Sequence, residues 1–176
     1  MQQVNWFERD FTFKPQQNLL PSVLERLTGT PARLEERLAG IAAGWQTQRI
    51  DATWSIKENT GHLTDLEPLW QGRIEDILTG KTELRPTDLQ NGSTFLANHN
   101  ATPTPELLAA FRQARTKTVR QLAALNEEDA FKSALHPRLK TPMRVLDLAL
   151  FVAEHDDHHL ARLSELVRRM RDAEQQ

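Results

Sequence analysis

The fold class is decided by the last amphipathic stretch of the chain, residues 141–172, which reads TPMRVLDLALFVAEHDDHHLARLSELVRRMRD. Its apolar side chains recur every three or four residues, which is the period of a helix with one buried face. Thr141-Pro142 supplies an N-cap residue followed by a proline in the first turn. The pattern therefore predicts one helix that runs to about residue 172, with a length of about 45 Å at ~1.5 Å per residue.

Two further long helices are predicted upstream of this stretch. Ser55 and Glu58 have the spacing of a capping box, so a helix is expected over about 55–80. Thr104-Pro105 begins another helix, which is expected to run to about residue 125. The connection over 81–103 contains prolines and is predicted to be a loop. A loop of that length is typically functional or contains short helical turns.

The N-terminal part of the chain has a weaker helical pattern. A short helix is predicted over about 18–28, followed by a second helix that begins at Thr30-Pro31 and ends near Gly44. Residues 1–17 are predicted to form an extended arm, anchored by the aromatic side chains of Trp6, Phe7, Phe11 and Phe13. No sheet is expected, because strand-like alternation is not sustained. The sequence thus predicts an all-α four-helix bundle with an extended N-terminal arm.

Composition limits the possible functions. The 176 residues fit a single domain over 1–176, and 22 basic against 24 acidic residues give a net charge of −2. Such a chain is not expected to bind nucleic acid, which requires a basic surplus. The absence of cysteine excludes disulfides and thiolate ligands. No stretch is apolar enough to span a membrane and no targeting signal is recognised, so we expect a cytoplasmic protein.

Histidines on two of the predicted helices are candidate metal ligands. His155 and His159 lie one turn apart on or beside the apolar stripe of the last helix, whereas His158 lies on its polar side. His62 lies on the apolar face of the helix over 55–80. If these helices are neighbours, three imidazoles converge in the bundle and can bind one divalent ion with an open coordination position. Zinc, nickel, copper or iron(II) would suit three nitrogen ligands. The alternative is a metal-free bundle whose core histidines are satisfied by hydrogen bonds.

Two acidic residues near His62 are weaker catalytic candidates. Glu58 precedes His62 by one turn and Asp65 follows it by three residues, so either could orient a ligand imidazole or accept a proton from water. The competing interpretation is that Glu58 caps its helix and that Asp65 is solvated, and for Asp65 solvation is favoured. His99 and His136 are predicted to be surface residues in connections.

Two motifs carry a family resemblance. The first is WSIKE at 54–58 followed by GHL at 61–63 and Asp65, and the second is HPRL at 136–139 followed by HDDHH at 155–159. With the segments 6–13 and 24–37, they resemble the DinB/YfiT-like family of metalloenzymes over nearly the whole chain. The resemblance implies a four-helix bundle, a divalent ion held by His62, His155 and His159, and frequent homodimers. Relatives often have Gly-Gln after the double histidine, whereas this chain has Leu160-Ala161-Arg162.

The resemblance also implies a class of reaction. Relatives include thiol-dependent enzymes, so the expected function is a metal-dependent transferase that adds a low-molecular-weight thiol to an electrophile. In that reaction the metal would lower the pKa of the substrate thiol. One alternative is a metal-dependent hydrolase that acts on a small-molecule substrate. Another is a noncatalytic, stress-associated metal-binding bundle that acts through a partner or a dimer surface.

Overall fold

Four long helices form the body of the protein. The computed structural model describes residues 3–13 and 17–175. In chain order its elements are the helices α1 (Leu20–Leu38), α2 (Ala43–Thr47), α3 (Ile56–Leu78), α4 (Gly92–Leu96), α5 (Thr104–Ala123) and α6 (Glu127–Phe131), the strands β1 (Ser133–Leu135) and β2 (Pro142–Arg144), and the helix α7 (Val145–Glu174). Helices α1 and α3 each pack against both α5 and α7. The predicted four-helix bundle is confirmed.

Helix α3 begins as its sequence predicts. The Ser55 hydroxyl accepts a hydrogen bond from the backbone N–H of Glu58, and the Glu58 carboxylate accepts one from the backbone N–H of Ser55 at 2.8 Å. This reciprocal capping box satisfies two donors at the N-terminus that have no partner within the helix. It also fixes the register of the face that carries His62.

Helix α1 corrects the prediction of two separate helices broken at Thr30-Pro31. It continues through Pro31, although proline removes a backbone donor and costs about 3 kcal/mol in a helix interior. Leu27 and Leu34, on either side of Pro31, are both fully buried on the same face. Burying two leucines contributes about 1.5–3 kcal/mol each, so packing outweighs the local penalty.

The start of α7 also differs from the prediction. Pro142 does not open the helix but lies in β2, which pairs antiparallel with β1 in a small sheet that the sequence analysis did not anticipate. The helix begins at Val145, where the Asp147 carboxylate accepts the backbone N–H of Arg144 at 3.0 Å. Proline is tolerated here because it occupies the first position of a short strand.

The connections and the N-terminal arm pack onto the bundle. The loop over 81–103 contains α4 and a single 3-10 turn at His99–Ala101, in agreement with the short helical turns expected for it. In the arm, Trp6, Phe11 and Phe13 pack against the core, whereas Phe7 is 58% exposed and is not an anchor. The arm contains a 3-10 turn at Trp6–Glu8. The predicted arm also includes residues 1–2 and 14–16, which lie outside the described residues.

A buried ionic network ties the four long helices together beside the histidines. Arg115 of α5 donates to Glu67 of α3 at 2.6 Å and to both carboxylate oxygens of Asp156 of α7. Thr30 of α1 donates to Asp156 at 2.9 Å. Because Asp156 follows His155 in sequence, the network holds the turn of α7 that presents the histidines. Within the described chain, no helix is long and apolar enough to cross a membrane.

Candidate metal centre

Three buried histidine side chains meet inside the bundle. His62 comes from α3, and His155 and His159 lie one turn apart on α7. One ring nitrogen of each lies within 4.8 Å of those of the other two, and the Nε2 atoms of His155 and His159 are 3.2 Å apart. The structure therefore brings together the three histidines that the sequence analysis selected. Their assignment as metal ligands stays a prediction.

Asn59 fixes the tautomer of His159. The Asn59 amide nitrogen donates to the backbone carbonyls of Trp54 at 3.1 Å and Ser55 at 2.8 Å, so its Oδ1 atom faces the ring. That oxygen lies 2.9 Å from Nδ1 of His159, and a carbonyl oxygen only accepts. Nδ1 of His159 therefore carries the ring proton, and its Nε2 atom presents a lone pair to the other two histidines.

A chain of three hydrogen bonds fixes the tautomer of His62. The Thr94 hydroxyl donates to the Asp65 carboxylate at 2.7 Å, and it lies 3.0 Å from Nδ1 of His62. Because the hydroxyl has already given its one proton to Asp65, it accepts from Nδ1–H of His62. His99 donates its Nε2–H to the same Asp65 oxygen at 2.9 Å. Nε2 of His62 is thus left with a lone pair.

Aromatic packing holds His155 in place. The rings of Trp6 and Trp70 stand edge-on to the imidazole, at centroid distances of 5.0 and 5.7 Å. Its Nδ1 atom is buried without a hydrogen-bond partner among the described residues. The Nε2 atom of His155 faces the Nε2 lone pair of His159. Without a bound cation, His155 is the donor in this hydrogen bond.

All three imidazoles are neutral at neutral pH. Burial lowers the pKa of His62 to about 4, although the nearby Asp65 carboxylate opposes the shift. Burial also holds the pKa values of His155 and His159 well below the usual value, and repulsion among the three rings adds to the effect. Burial disfavours the charged form of each ring. The lone pairs required for metal ligation are therefore available without first removing an extra proton.

The cluster fits the requirements of a transition-metal ion. At a Zn–N distance of ~2.1 Å, two tetrahedral ligands lie about 3.4 Å apart. The Nε2 atoms of His155 and His159 are separated by nearly that distance, 3.2 Å. His62 and His159 already present Nε2 lone pairs, and His155 is neutral, so each ring can offer one nitrogen to the ion. The three side chains could hold a metal ion.

The triad forms part of the wall of a cavity of about 640 Å³. Aromatic and aliphatic side chains from α3, α7, the N-terminal arm and the connections on both sides of α3 surround the histidines: Trp6, Trp54, Leu66, Trp70, Phe95 and Phe151. A cavity of this size, which combines aromatic and aliphatic side chains with converging polar groups, can hold a small molecule.

The two acidic candidates have different positions. Glu58 caps α3 and pairs with the Arg49 guanidinium, whose hydrogen bonds lower the pKa of the carboxyl. Both of its oxygens are engaged, which favours the capping interpretation over a chemical role. The interpretation favoured for Asp65, a solvated side chain, is wrong. Its carboxylate accepts hydrogen bonds from Thr94 and His99 and so supports His62 indirectly.

The remaining histidines correct two predictions. His99 and His136 are both buried and not surface residues, with exposed fractions of 7% and 2%. His99 packs against Gly61, and His136 lies 3.1 Å from the guanidinium of Arg73. His158 is half-buried and lines the cavity, and Gln3 lies 3.0 Å from its Nδ1 atom.

The sequence analysis missed Asn59 and Thr94. Asn59 lies one turn before His62 within the first motif, so its proximity to the site could have been inferred from helical spacing. Thr94 lies on α4, in a connection whose path no periodicity predicts.

The comparisons with known proteins agree with this architecture. The family model described as DinB superfamily matches residues 26–163. The chain belongs to the DinB superfamily. YfiT of Bacillus subtilis (strain 168), described as a probable metal-dependent hydrolase, is 25% identical over 164 residues, which cover 92% of this chain and 90% of YfiT. The YfiT structure aligns with a TM-score of 0.76 at 23% identity, over 90% of this chain and 93% of YfiT.

Two further solved structures share the fold. The colibactin self-resistance protein ClbS, solved in complex with double-stranded DNA, has a TM-score of 0.65 at 13% identity, over 85% of this chain and 95% of ClbS. A protein from Streptococcus pneumoniae has a TM-score of 0.66 at 14% identity, over 90% of this chain and 93% of its own. At these identities the similarity concerns the fold alone.

Proposed function

We propose that this DinB-superfamily protein is a metal-dependent hydrolase of small molecules. The observation that supports the proposal most directly is the neutral triad of His62, His155 and His159 in the wall of a cavity of about 640 Å³. The relation to YfiT supports hydrolysis over the thiol transfer expected from the sequence. A divalent ion supplies Lewis-acid chemistry, which polarises a carbonyl or phosphoryl oxygen and acidifies water.

The residues of the chain would prepare the site for that chemistry. Asn59 holds the proton of His159 on Nδ1, and Thr94 with Asp65 does the same for His62, so that both Nε2 atoms keep their lone pairs. Such outer hydrogen bonds orient ligands and raise their basicity. The indoles of Trp6 and Trp70 pack edge-on against His155 and would help to exclude bulk water from its ring.

Metal binding is tested first, on protein purified without a histidine tag. The metal is removed, the protein is desalted, and zinc, nickel, copper or iron(II) is added. A metal at one hundred times its dissociation constant should stabilise the native state by about 2.7 kcal/mol. His159→Ala should lose this gain, whereas the neighbouring variant His158→Ala should keep it. Unchanged unfolding temperatures with every metal would contradict the proposal.

The reaction is tested with panels of esters and amides in water labelled with heavy oxygen. A hydrolase incorporates the label into the product and does not require a thiol. The same panels with small thiols and model electrophiles test the alternative. Turnover that requires a thiol and incorporates no label into the product would contradict hydrolysis and support thiol transfer. If the His159→Ala variant and the native protein had equal turnover, the activity would not depend on the triad.

A further inference from the structure

The cavity contains a second polar group, which the metal chemistry does not use. His62, Leu66, Trp70 and Arg73 follow one another on the same face of α3, and all four line the cavity. The eleven residues from His62 to Arg73 correspond to about 16 Å along the helix axis. The wall therefore leads from the triad, across apolar side chains, to a guanidinium.

Arg73 is buried and holds a free donor. Its exposed fraction is 1%, which is exceptional for an arginine. Nε donates to the backbone carbonyl of Arg85 at 3.0 Å, and Nη1 lies 3.1 Å from Nε2 of His136. Nη2 has no hydrogen-bond partner among residues 3–13 and 17–175. The hydrogen bond from Nε thus holds one edge of the guanidinium, while Nη2 is left without an acceptor among these residues.

Arg138 brings a second guanidinium to the same part of the cavity wall. It lies against the Phe7 ring at 5.2 Å from the centroid, and its Nη2 atom is likewise buried without a partner in the described chain. Between the two arginines, Nδ1 of His136 accepts the backbone N–H groups of Arg138 and Leu139, both at 3.2 Å. Its Nε2 atom therefore carries the ring proton, so this N–H and Nη1 of Arg73, 3.1 Å away, are two donors with no acceptor between them.

No carboxylate among the described residues accepts a hydrogen bond from either guanidinium. Asp76 attracts Arg73, but its oxygens accept from Lys81 and Arg85. The two acidic side chains that line the cavity have other partners: Glu165 pairs with Arg162, and Asp88 accepts from the backbone amides of Gln90 and Gly92. Burial and repulsion from Arg138 lower the pKa of Arg73 to about 10, so both guanidiniums stay charged at neutral pH. A buried and a half-buried guanidinium that share no ion pair with a carboxylate among the described residues indicate a missing anion.

We propose that Arg73, His136 and Arg138 form a subsite for an oxyanion, a carboxylate or a phosphate group, at the end of the substrate distant from the triad. Guanidinium groups bind both oxyanions through paired hydrogen bonds. The substrate would carry its reactive group at the histidines, an apolar middle beside Leu66 and Trp70, and an anionic end at the arginines. The assignment of a substrate rests on the proposed function, whereas binding of the oxyanion does not.

Binding is measured by calorimetric titration of the metal-free, desalted protein, so that the anion cannot bind through a metal. The probes are adipate, its neutral dimethyl ester, and inorganic phosphate. Adipate, phosphate or both should bind saturably, and the preferred one identifies the anionic group. Arg138→Met should weaken binding at least tenfold. Arg168→Met, which removes an exposed arginine outside the cavity, should leave binding unchanged.

Arg73→Met should weaken binding at least as much. If the Arg73→Met protein does not fold, Arg138→Met alone tests the subsite, because Arg138 lies in a half-buried loop where the substitution is tolerated more easily. Absence of saturable binding by the native protein, or equal binding by the native protein and Arg138→Met, would overturn the subsite. Neither result affects the metal tests. In the metal-loaded protein, a monoester of adipate should be hydrolysed with a kcat/KM at least tenfold above that of the dimethyl ester, and Arg138→Met should abolish this preference.

Discussion

Replacement of Gly61 by alanine should destabilise the protein because α3 and the loop that carries His99 approach closely at this residue. A Cβ atom at position 61 would lie 2.2 Å from Cγ of His99. To reach an ordinary contact, the imidazole must retreat by more than an ångström, which breaks its 2.9 Å hydrogen bond to Asp65. His99 is 7% exposed, so it has little free space in which to move.

The size of the effect follows from three contributions. Overpacking costs about 1–3 kcal/mol. Losing a hydrogen bond to a carboxylate costs about 1.5–3 kcal/mol. Alanine is favoured over glycine in a helix by about 0.5–1 kcal/mol, which opposes the loss. The free energy of unfolding should therefore fall by about 2–5 kcal/mol for Gly61→Ala.

Gly29→Ala provides the matched control. Gly29 lies inside α1, and a Cβ atom there would meet nothing within 4 Å. This variant should gain about 0.5–1 kcal/mol from helix propensity alone. Both variants are compared with the native protein by equilibrium urea denaturation, without added metal. If Gly61→Ala matched the stability of Gly29→Ala, the close approach of His99 described above would be wrong.

Three further predictions concern single side chains. Asn59→Ala removes the acceptor of His159 Nδ1–H and should weaken metal binding by ten- to a hundredfold in a calorimetric titration, while an unchanged affinity would exclude its role in orienting the ring. Asp156→Asn leaves Arg115 with an incomplete buried pair and should lower the free energy of unfolding by about 3–5 kcal/mol in urea, and a loss below ~1 kcal/mol would argue against the buried network. Hydrogen bonds from Arg85 and Lys81 hold the pKa of Asp76 below its usual value. This carboxylate therefore stabilises the native state above about pH 4, and its contribution is lost as the pH falls towards the pKa of the native state. Asp76→Asn should reduce the slope of stability against pH in acid, and an unaltered slope would count against this ion pair.

The histidine triad could be predicted because it depends on helical geometry. His62, His155 and His159 each fall on or beside an apolar stripe, which faces the bundle interior, and the three meet because α3 and α7 are neighbours. The capping box at Ser55 likewise depends on residues three positions apart. Such relations involve residues that are close in sequence, so they predict the helices α3 and α7 without knowledge of any tertiary contact.

Features that depend on long-range packing could not be predicted. Pro31 has the local signature of a helix start, and only the burial of leucines on both sides shows that α1 continues through it. His136 occupies a connection rich in polar residues, and nothing in its sequence neighbourhood indicates that Arg73, sixty-three positions away, packs against it. The burial of a loop residue is decided by the element that covers it.

The two histidines of the triad whose Nδ1 atoms are hydrogen-bonded to other side chains depend on the fold in different ways. The partner of His159 is Asn59, which the backbone carbonyls of Trp54 and Ser55 hold at the start of α3, so this tautomer persists as long as the helix start is intact. The partner of His62 is Thr94, on a five-residue helix that is too short to be stable alone. Thr94 keeps its position through Asp65, which also binds His99 at the end of the same connection. A metal bound to Nε2 of His62 should therefore favour the ordered form of this connection. Conversely, disorder of α4 should weaken metal binding by its effect on His62, without an effect on His155 or His159.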